Sequence, residues 1–266
     1  MPAGPSYELD AATHLDPAQR LAHWVREASR ILFITGAGLS ADSGLPTYRG
    51  VGGLYEHADT EEGMAIETVL SGGMMHERPQ VCWKYIHQVE AACRGAAPNR
   101  GHEVIAELGQ RRPGVVVLTQ NVDGLHRAAG SEDVIEIHGN IHEIHCTRCA
   151  WAQRVPDYAA LPPLPRCPEC GAVSRPRVVL FDEMLPLAAM SRLDAEIRRG
   201  FSLVIAVGTT AGFPYIAAPV LGAADMGARS VEINPGKSRL SDRVDLRLPA
   251  RAAPTLDALA AALGYG

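Results

Sequence analysis

A short apolar run that ends in glycine or a polar residue recurs along the whole chain, and this recurrence limits the fold more than any other feature. Ile31-Leu32-Phe33-Ile34 leads toward Gly36, Val115-Val116-Val117-Leu118 into Thr119-Gln120-Asn121, and Val134-Ile135-Glu136-Ile137 into His138. Leu203 to Val207 leads into Gly208 and Val231-Glu232-Ile233 into Asn234, with Val244 to Leu248 as a further candidate. Apolar runs this short and this continuous read as strands covered on both faces. Helical stretches separate most of them: one around 100–109 after Asn99, others over 187–199, 214–224 and 253–263. A first helix is expected after Asp16-Pro17, an N-cap followed by proline, with Leu21, Trp24, Val25 and Ala28 at helical spacing. Strands alternating with helices fold as an α/β, doubly wound parallel sheet. Such sheets bind ligands at the carboxyl ends of their strands, so the residues just past each run are the ones to inspect.

Two stretches break the alternation. Residues 48–95 mix Gly-rich loops with helical patches, including 79–92, and residues 140–185 hold a cysteine cluster among many prolines. The expected organisation is a Rossmann-like domain built from 1–47, 96–139 and 186–266. Residues 48–95 and 140–185 then form a smaller inserted module, part helical and part metal-binding. A net charge of −5 does not indicate a nucleic-acid binder and leaves lysine-rich substrates unrepelled. No apolar run reaches membrane-spanning length, and the first residues have neither the basic nor the apolar region of a secretory signal. The expectation is a cytoplasmic chain with no nucleic-acid or membrane partner. Nothing in the sequence sets an oligomeric state.

Four of the six cysteines form two C-x-x-C pairs, Cys146-Thr-Arg-Cys149 and Cys167-Pro-Glu-Cys170, with seventeen residues between Cys149 and Cys167. That separation suits paired zinc knuckles. Each turn aims two thiolates at one point, and two turns complete the closed tetrahedral set of a structural Zn2+. With four thiolates no coordination position is left for water, so the metal is expected to be structural. His142 and His145 lie nearby and are not needed as ligands. Cys82 and Cys93, in a helical patch, are expected in the core.

After the first run the chain reads Thr35-Gly36-Ala37-Gly38-Leu39-Ser40-Ala41-Asp42-Ser43-Gly44. A Gly-rich turn at a helix N-terminus lets backbone approach a pyrophosphate. The third glycine of G-x-G-x-x-G is absent, because Ala41 stands there, and no second strand–helix unit follows to supply a ribose-binding acid. A hydride-transferring dehydrogenase is therefore disfavoured, and a dinucleotide bound in a different pose remains open.

The strand ends carry a set of polar groups: Gly44-Leu45-Pro46-Thr47-Tyr48-Arg49 beyond the first, Gln120-Asn121-Val122-Asp123-Gly124-Leu125-His126 beyond the second, then His138-Gly139, Gly208-Thr209-Thr210 and Asn234. The ordered series G-A-G-x-S-x-x-S-G-x-P-x-[FY]-R, T-Q-N-x-D-x-L-H, H-G, two C-x-x-C pairs and V-G-T-[ST] resembles the sirtuins, from about residue 31 to 250. The resemblance implies a Rossmann-like NAD domain with a small zinc and helical module. It implies NAD-dependent removal of acyl groups from protein lysine, with nicotinamide released and the acyl group transferred to ADP-ribose.

By the same resemblance Gly36, Ala37, Gly38 and Ser40 line the co-substrate, and Gln120, Asn121 and Asp123 sit at the nicotinamide and its ribose. Pro46, Tyr48 and Arg49 belong to a loop that closes over NAD. Gly208, Thr209, Thr210 and Asn234 hold the adenosine side. His138 matches the catalytic histidine, with Asn121 and Asp123 orienting the leaving ring. An imidazole suits the task of taking a ribose hydroxyl proton at neutral pH. His126 is expected to support the loop structurally. Val179, Leu180 and Phe181 fall in the segment where an acyl-lysine peptide adds as a strand, with Val179 offering a carbonyl. The stretch from Thr210 to Pro214 forms the other wall.

Several positions depart from the family pattern. Asp182 stands where glycine is usual, a place where a carboxylate either clashes with a peptide or favours a basic one. Thr210 replaces serine, Tyr48 replaces phenylalanine, and Ala250-Arg251-Ala252-Ala253 replaces a Gly-containing loop. The subgroup that removes succinyl and malonyl groups carries Tyr-x-x-Arg, whereas the local match here is Tyr85-Ile-His-Gln88. Glutamine cannot supply the charge of a bidentate arginine, so neutral acyl groups are expected to be preferred. Met74 and Met75 are expected in core packing or an adaptable acyl wall. Two rivals stand beside deacylation. One is NAD-dependent mono-ADP-ribosylation of protein on the same scaffold. The other is a non-enzymatic zinc-ribbon binding module, which has no use for polar groups at five strand ends.

Overall fold

The computed structural model describes residues 15–46 and 60–265. Helix α1 (Pro17–Glu27) starts where Asp16 accepts from the backbone N–H groups of Ala18 and Gln19 at 2.9 and 3.0 Å. Strand β1 (Ile31–Thr35) runs into the short α2 (Ala37–Ser40). Three helices follow beyond residue 60: α3 (Ile66–Val69), α4 (Gly72–Glu77) and α5 (Pro79–Cys93). Then come α6 (Arg100–Arg111), β2 (Val115–Thr119), α7 (Leu125–Ala128) and β3 (Val134–Glu136). The cysteine-bearing region contributes β4 (Gly139–Cys146), β5 (Ala152–Arg154) and β6 (Ser174–Val178). The chain closes with α8 (Leu187–Arg199), β7 (Leu203–Val207), α9 (Pro214–Leu221), β8 (Arg229–Ile233), β9 (Leu246–Leu248) and α10 (Ala252–Leu263).

Six strands form one parallel sheet in the order β3-β2-β1-β7-β8-β9. Strands alternate their side chains between faces, so each run splits into two cores. Phe33, Val117, Ile205 and Val231 face α1, α6 and α10, with Leu21, Ile105 and Leu256. Leu32, Ile34, Leu118 and Val204 face α8 and α9, with Leu193 and Ile216. A third core, around Trp83, Tyr85, Ile86, Ile141, Ile144, Tyr158 and Leu180, joins the helices beyond residue 60 to the second sheet. That sheet is antiparallel, β5-β4-β6. Met75 and Cys82 are buried in this third core and Met74 packs against it.

The register makes the functional edge. Thr35 lies opposite both Thr119 and Val207, Thr119 opposite Glu136, Val207 opposite Ile233, and Ile233 opposite Leu248. The carboxyl ends are thus level, and Gly36, Gln120, Gly208 and Asn234 follow them at one rim. The strand order reverses between β1 and β7, the switch point at which a crevice opens in such sheets.

The chain passes from this sheet to the second at His138-Gly139. Gly139 has φ +83°, and a Cβ there would stand 1.9 Å from the Arg177 carbonyl oxygen. Gly139→Ala therefore forces β4 away from β6 in a backbone shape that L side chains avoid, an expected cost of about 3 kcal/mol. Thermal unfolding should show Tm lowered by roughly 6–12 °C. An unchanged Tm would mean that β6 yields freely here.

Candidate active site

The glycines of the first loop shape the crevice through a contact that their spacing does not reveal. Gly36, Gly38 and Gly208 pack against one another, and Gly38 N–H donates to the Gly208 carbonyl at 2.8 Å. A Cβ on Gly38 would meet Gly208 Cα at 2.7 Å, and one on Gly208 (φ +59°) would meet Leu39 N at 2.4 Å. Their absent side chains first let the loops after β1 and β7 touch backbone to backbone at the switch point. The same contact leaves the N-terminus of α2, where Gly36 provides no side-chain cap, at the crevice rim. Ala37 beside it is half-buried.

Polar side chains from four strand ends knit this rim together. Ser40 Oγ donates to Asp123 Oδ2 at 2.6 Å, and Asn121 Nδ2 donates to Ser40 Oγ at 2.9 Å and to the Gly36 carbonyl at 3.0 Å. Gln120 Nε2 donates to Thr209 Oγ1 at 2.8 Å, and Asn234 Nδ2 donates to the Thr209 carbonyl at 2.9 Å. Thr210 is exposed next to it. Asp123 also accepts from Leu125 N–H at 3.0 Å, which starts α7. Pro46 is half-buried at the end of the loop. Tyr48 and Arg49 lie outside the described residues.

His138 follows β3, the outermost strand of this edge, and is half-buried with both ring nitrogens engaged. Nδ1 lies 2.9 Å from the Gln120 carbonyl oxygen and Nε2 lies 2.7 Å from Tyr215 Oη. A carbonyl only accepts, so Nδ1 carries the proton and Nε2 holds the lone pair. Burial lowers the His138 pKa below the usual imidazole value of 6.5, partly opposed by the Gln120 carbonyl, so the ring is a neutral base at neutral pH. Phe213 meets His138 edge-on, with centroids 5.7 Å apart. His126 plays a structural part. It is buried, burial and the neighbouring His102 hold it near pKa 3, and its Nε2 joins Thr35 Oγ1 at 2.9 Å.

On the far side of His138, Val179 N–H donates to the His138 carbonyl at 2.9 Å, while its own carbonyl accepts from none of the described residues. Its neighbours are already committed. Leu180 is buried in the third core and its N–H donates to Glu183 at 2.8 Å. Phe181 is paired through both backbone groups, donating to Leu70 and accepting from Gly72. Asp182, although exposed, spends its carboxylate within the chain. At φ +65° it turns its carboxylate onto the start of α4, accepting from Gly72 N–H at 2.9 Å and Gly73 N–H at 3.4 Å. Asp182→Gly should relieve the left-handed strain and lose the helix contact, for a net stability change within about 1 kcal/mol. The KM for an acetyl-lysine peptide should stay within about threefold. A larger rise would mean that the carboxylate meets the peptide after all.

Three anchors escaped the sequence reading. Asp42, almost fully buried, ties the first loop to the start of α10 through Arg251 Nε and Ala253 N–H, each at 2.7 Å. Glu232, fully buried, accepts from Ser238, from Ser241 at 2.7 Å and from Arg247 at 3.3 Å, and so braces the loop that follows Asn234. Tyr215 lies one residue past the wall expected from Thr210 to Pro214, in the first turn of α9. A tyrosine in the turn after a strand end was the available signal. The Tyr85–Gln88 match does not form a pair: Tyr85 is buried with its hydroxyl on Glu62, and Gln88 is exposed.

The four cysteines come together as expected. Their sulfurs all lie within 4.8 Å of one another, with Cys146–Cys170 at 3.4 Å and Cys149–Cys167 at 3.5 Å. Four thiolates about 2.3 Å from one Zn2+ stand about 3.8 Å apart, so the cluster fits the metal. Arg148 and Cys149 N–H groups point at the Cys146 sulfur at 3.3 and 3.4 Å, as suits a thiolate. Neither His142 nor His145 belongs to the cluster. Cys82 and the half-buried Cys93 are thiols pushed up to about 12 by burial.

A Rossmann-like sheet with a polar crevice at its switch point and a four-cysteine ribbon that continues from the same sheet edge defines a narrow class of α/β protein. The Sir2 family profile matches residues 36–213, and the chain belongs to that family, the sirtuins. It is 52% identical over 241 residues to NAD-dependent protein deacylase 2 of Pseudomonas aeruginosa, covering 89% of this chain and 93% of the relative. It is 35% identical to NAD-dependent protein deacylase 1 of Archaeoglobus fulgidus, covering 91% and 96%. Among solved structures it is similar to a Sir2 homologue in complex with NAD, with a TM-score of 0.82, 32% identity and 94% of each chain covered. It is also similar to a Sir2–p53 peptide–NAD complex, with a TM-score of 0.78, 27% identity and coverage of 92% and 97%.

Proposed function

We propose that the chain is an NAD-dependent protein-lysine deacylase that releases nicotinamide and transfers the acyl group to ADP-ribose. The observation that carries this reading is His138, a neutral base held at the level carboxyl edge between the switch-point crevice and the Val179 carbonyl, which none of the described residues occupies. NAD is the co-substrate, and the relatives' names and NAD complexes support it. The crevice residues Gly36, Ala37, Gly38, Ser40, Gly208, Thr209, Thr210 and Asn234 line its phosphate and adenosine side. Gln120, Asn121 and Asp123 hold the nicotinamide end, with Pro46, Tyr48 and Arg49 closing over it. The Ser40–Asn121–Asp123 bonds fix these groups before any ligand arrives, which is positioning catalysis.

An acyl-lysine peptide lies along Val179, Leu180 and Phe181, with the Val179 carbonyl receiving its N–H. His138 then removes a ribose hydroxyl proton so that the oxygen attacks the acyl carbon. Zn2+ on Cys146, Cys149, Cys167 and Cys170 holds the second sheet in shape. Among the described residues no helix is long and apolar enough to cross a membrane. Four unbridged, closely spaced thiols suit a reducing compartment, so we place the protein in the cytoplasm.

The test is incubation with NAD and acetyl-, succinyl- and decanoyl-lysine peptides, with mass spectrometry of nicotinamide and O-acyl-ADP-ribose. Both products should appear together, with a neutral acyl group preferred. Nicotinamide released with ADP-ribose left on protein would instead establish the ADP-ribosyltransferase.

A further inference from the structure

The base nitrogen of His138 is not open. With Nδ1–H donated to the Gln120 carbonyl, Nε2 is the only lone pair on the ring, and the Tyr215 hydroxyl occupies it at 2.7 Å. That tyrosine is a firmly held group. It sits in the first turn of α9, which Pro214 opens, and Phe213 stacks on its ring with centroids 5.4 Å apart and planes 15° from parallel. Phe213 also abuts the imidazole edge-on, so the three rings form one packed unit. Ala211, two residues before Phe213, takes a left-handed φ of +50°. A substrate hydroxyl cannot use Nε2 directly while this unit is intact. It can use Oη of the half-buried Tyr215, a hydroxyl that donates one hydrogen bond and has lone pairs to accept another.

We propose that Tyr215 relays the ribose proton to His138 and is itself a catalytic residue. The proposal rests on the deacylase reading. The ribose O–H bond breaks and its proton passes to Tyr215 Oη, while the Tyr215 proton passes to His138 Nε2. The electron pair stays on the ribose oxygen, which attacks the acyl carbon. Tyrosine ends unchanged and histidine ends as imidazolium. The arrangement needs no tyrosinate at rest. Burial raises the Tyr215 pKa, which keeps the phenol protonated until the transfer.

The relay has a signature in the free protein. A phenol that donates to Nε2 stabilises neutral imidazole, so removing it lets His138 protonate at higher pH. Tyr215→Phe keeps the ring and its stacking on Phe213. Its His138 titration, followed by NMR of isotope-labelled histidine, should move upward, and Nδ1–H should be the protonated nitrogen in the wild type. In turnover, O-acyl-ADP-ribose formation by Tyr215→Phe should fall at least about tenfold, part of the usual range for acid–base catalysis. Exchange of labelled nicotinamide into NAD precedes the proton step and should stay within about threefold of wild type.

Tyr215→Phe with wild-type or faster acyl transfer would overturn the relay, the faster case marking the phenol as a block. Equal loss of exchange and transfer would also overturn it, because the tyrosine would then be structural. An unmoved His138 titration would remove the hydrogen bond on which the proposal stands. A wild-type protein that shows no acyl-lysine-dependent exchange would instead sink the deacylase reading itself, and the relay with it.

Discussion

His138→Ala loses O-acyl-ADP-ribose formation by about 100- to 10,000-fold, the range that a positioned acid–base group supplies. Nicotinamide exchange into NAD survives in the same variant, because the imidazole acts after nicotinamide has left. The split between the two rates is the informative measurement. A variant that loses both equally would make His138 part of the binding scaffold, and one that keeps both would move the base elsewhere. The pH profile of the wild type adds a sign. The active form is neutral imidazole, and burial lowers the pKa, so the acid limb of kcat/KM should have its midpoint below 6.5. A midpoint above 7 would contradict the burial on which this assignment depends.

Removing the metal produces the second large effect. Structural Zn2+ sites of four thiolates bind with about 10–16 kcal/mol of apparent free energy, and that energy is folding energy for the segment they close. Here the segment is continuous with the edge on which the proposed base His138 lies. Strand β4 starts at Gly139, next to His138, and ends at Cys146, a metal ligand. Cys146→Ser, or a strong chelator, should therefore release the metal, lower Tm by more than 10 °C and abolish turnover together. Metal content by elemental analysis should be one zinc per chain before treatment and none after. A chelated protein that keeps its Tm and its activity would show that the second sheet is held by its apolar core alone. That core is substantial: Trp83, Ile141, Ile144 and Tyr158 are all buried in it.

The two effects separate two kinds of information. The parallel sheet was legible in the chain because each strand is an apolar run with no polar face to hide, such as Leu203 to Val207, buried at every position. The metal site was legible because C-x-x-C turns are local: each pair of ligands is set by its own few residues, whatever the rest does. The N-cap at Asp16 and the polar residues after each strand were legible for the same reason. The edges of elements were less so. Helix α9 ends at Leu221 with Pro219 inside it, and the candidate strand from Val244 shrinks to Leu246–Leu248.

Only the tertiary structure decided how side chains far apart in sequence spend their hydrogen bonds. Asp182 gave no sign in the sequence that its carboxylate accepts from the start of a short helix 110 residues upstream. The glycines after β1 also let two loops, 170 residues apart in sequence, touch backbone to backbone, as the Gly38–Gly208 contact shows. Tyr85 and Gln88, three residues apart on one helix, face a buried core and open solvent respectively. Tyr215, 77 residues from His138, closes on the base nitrogen. Spacing along a strand or turn is fixed by local backbone geometry, so the sequence alone carries it. Which donor meets which acceptor across the crevice depends on strand register and loop path, and those exist only once the whole sheet has formed.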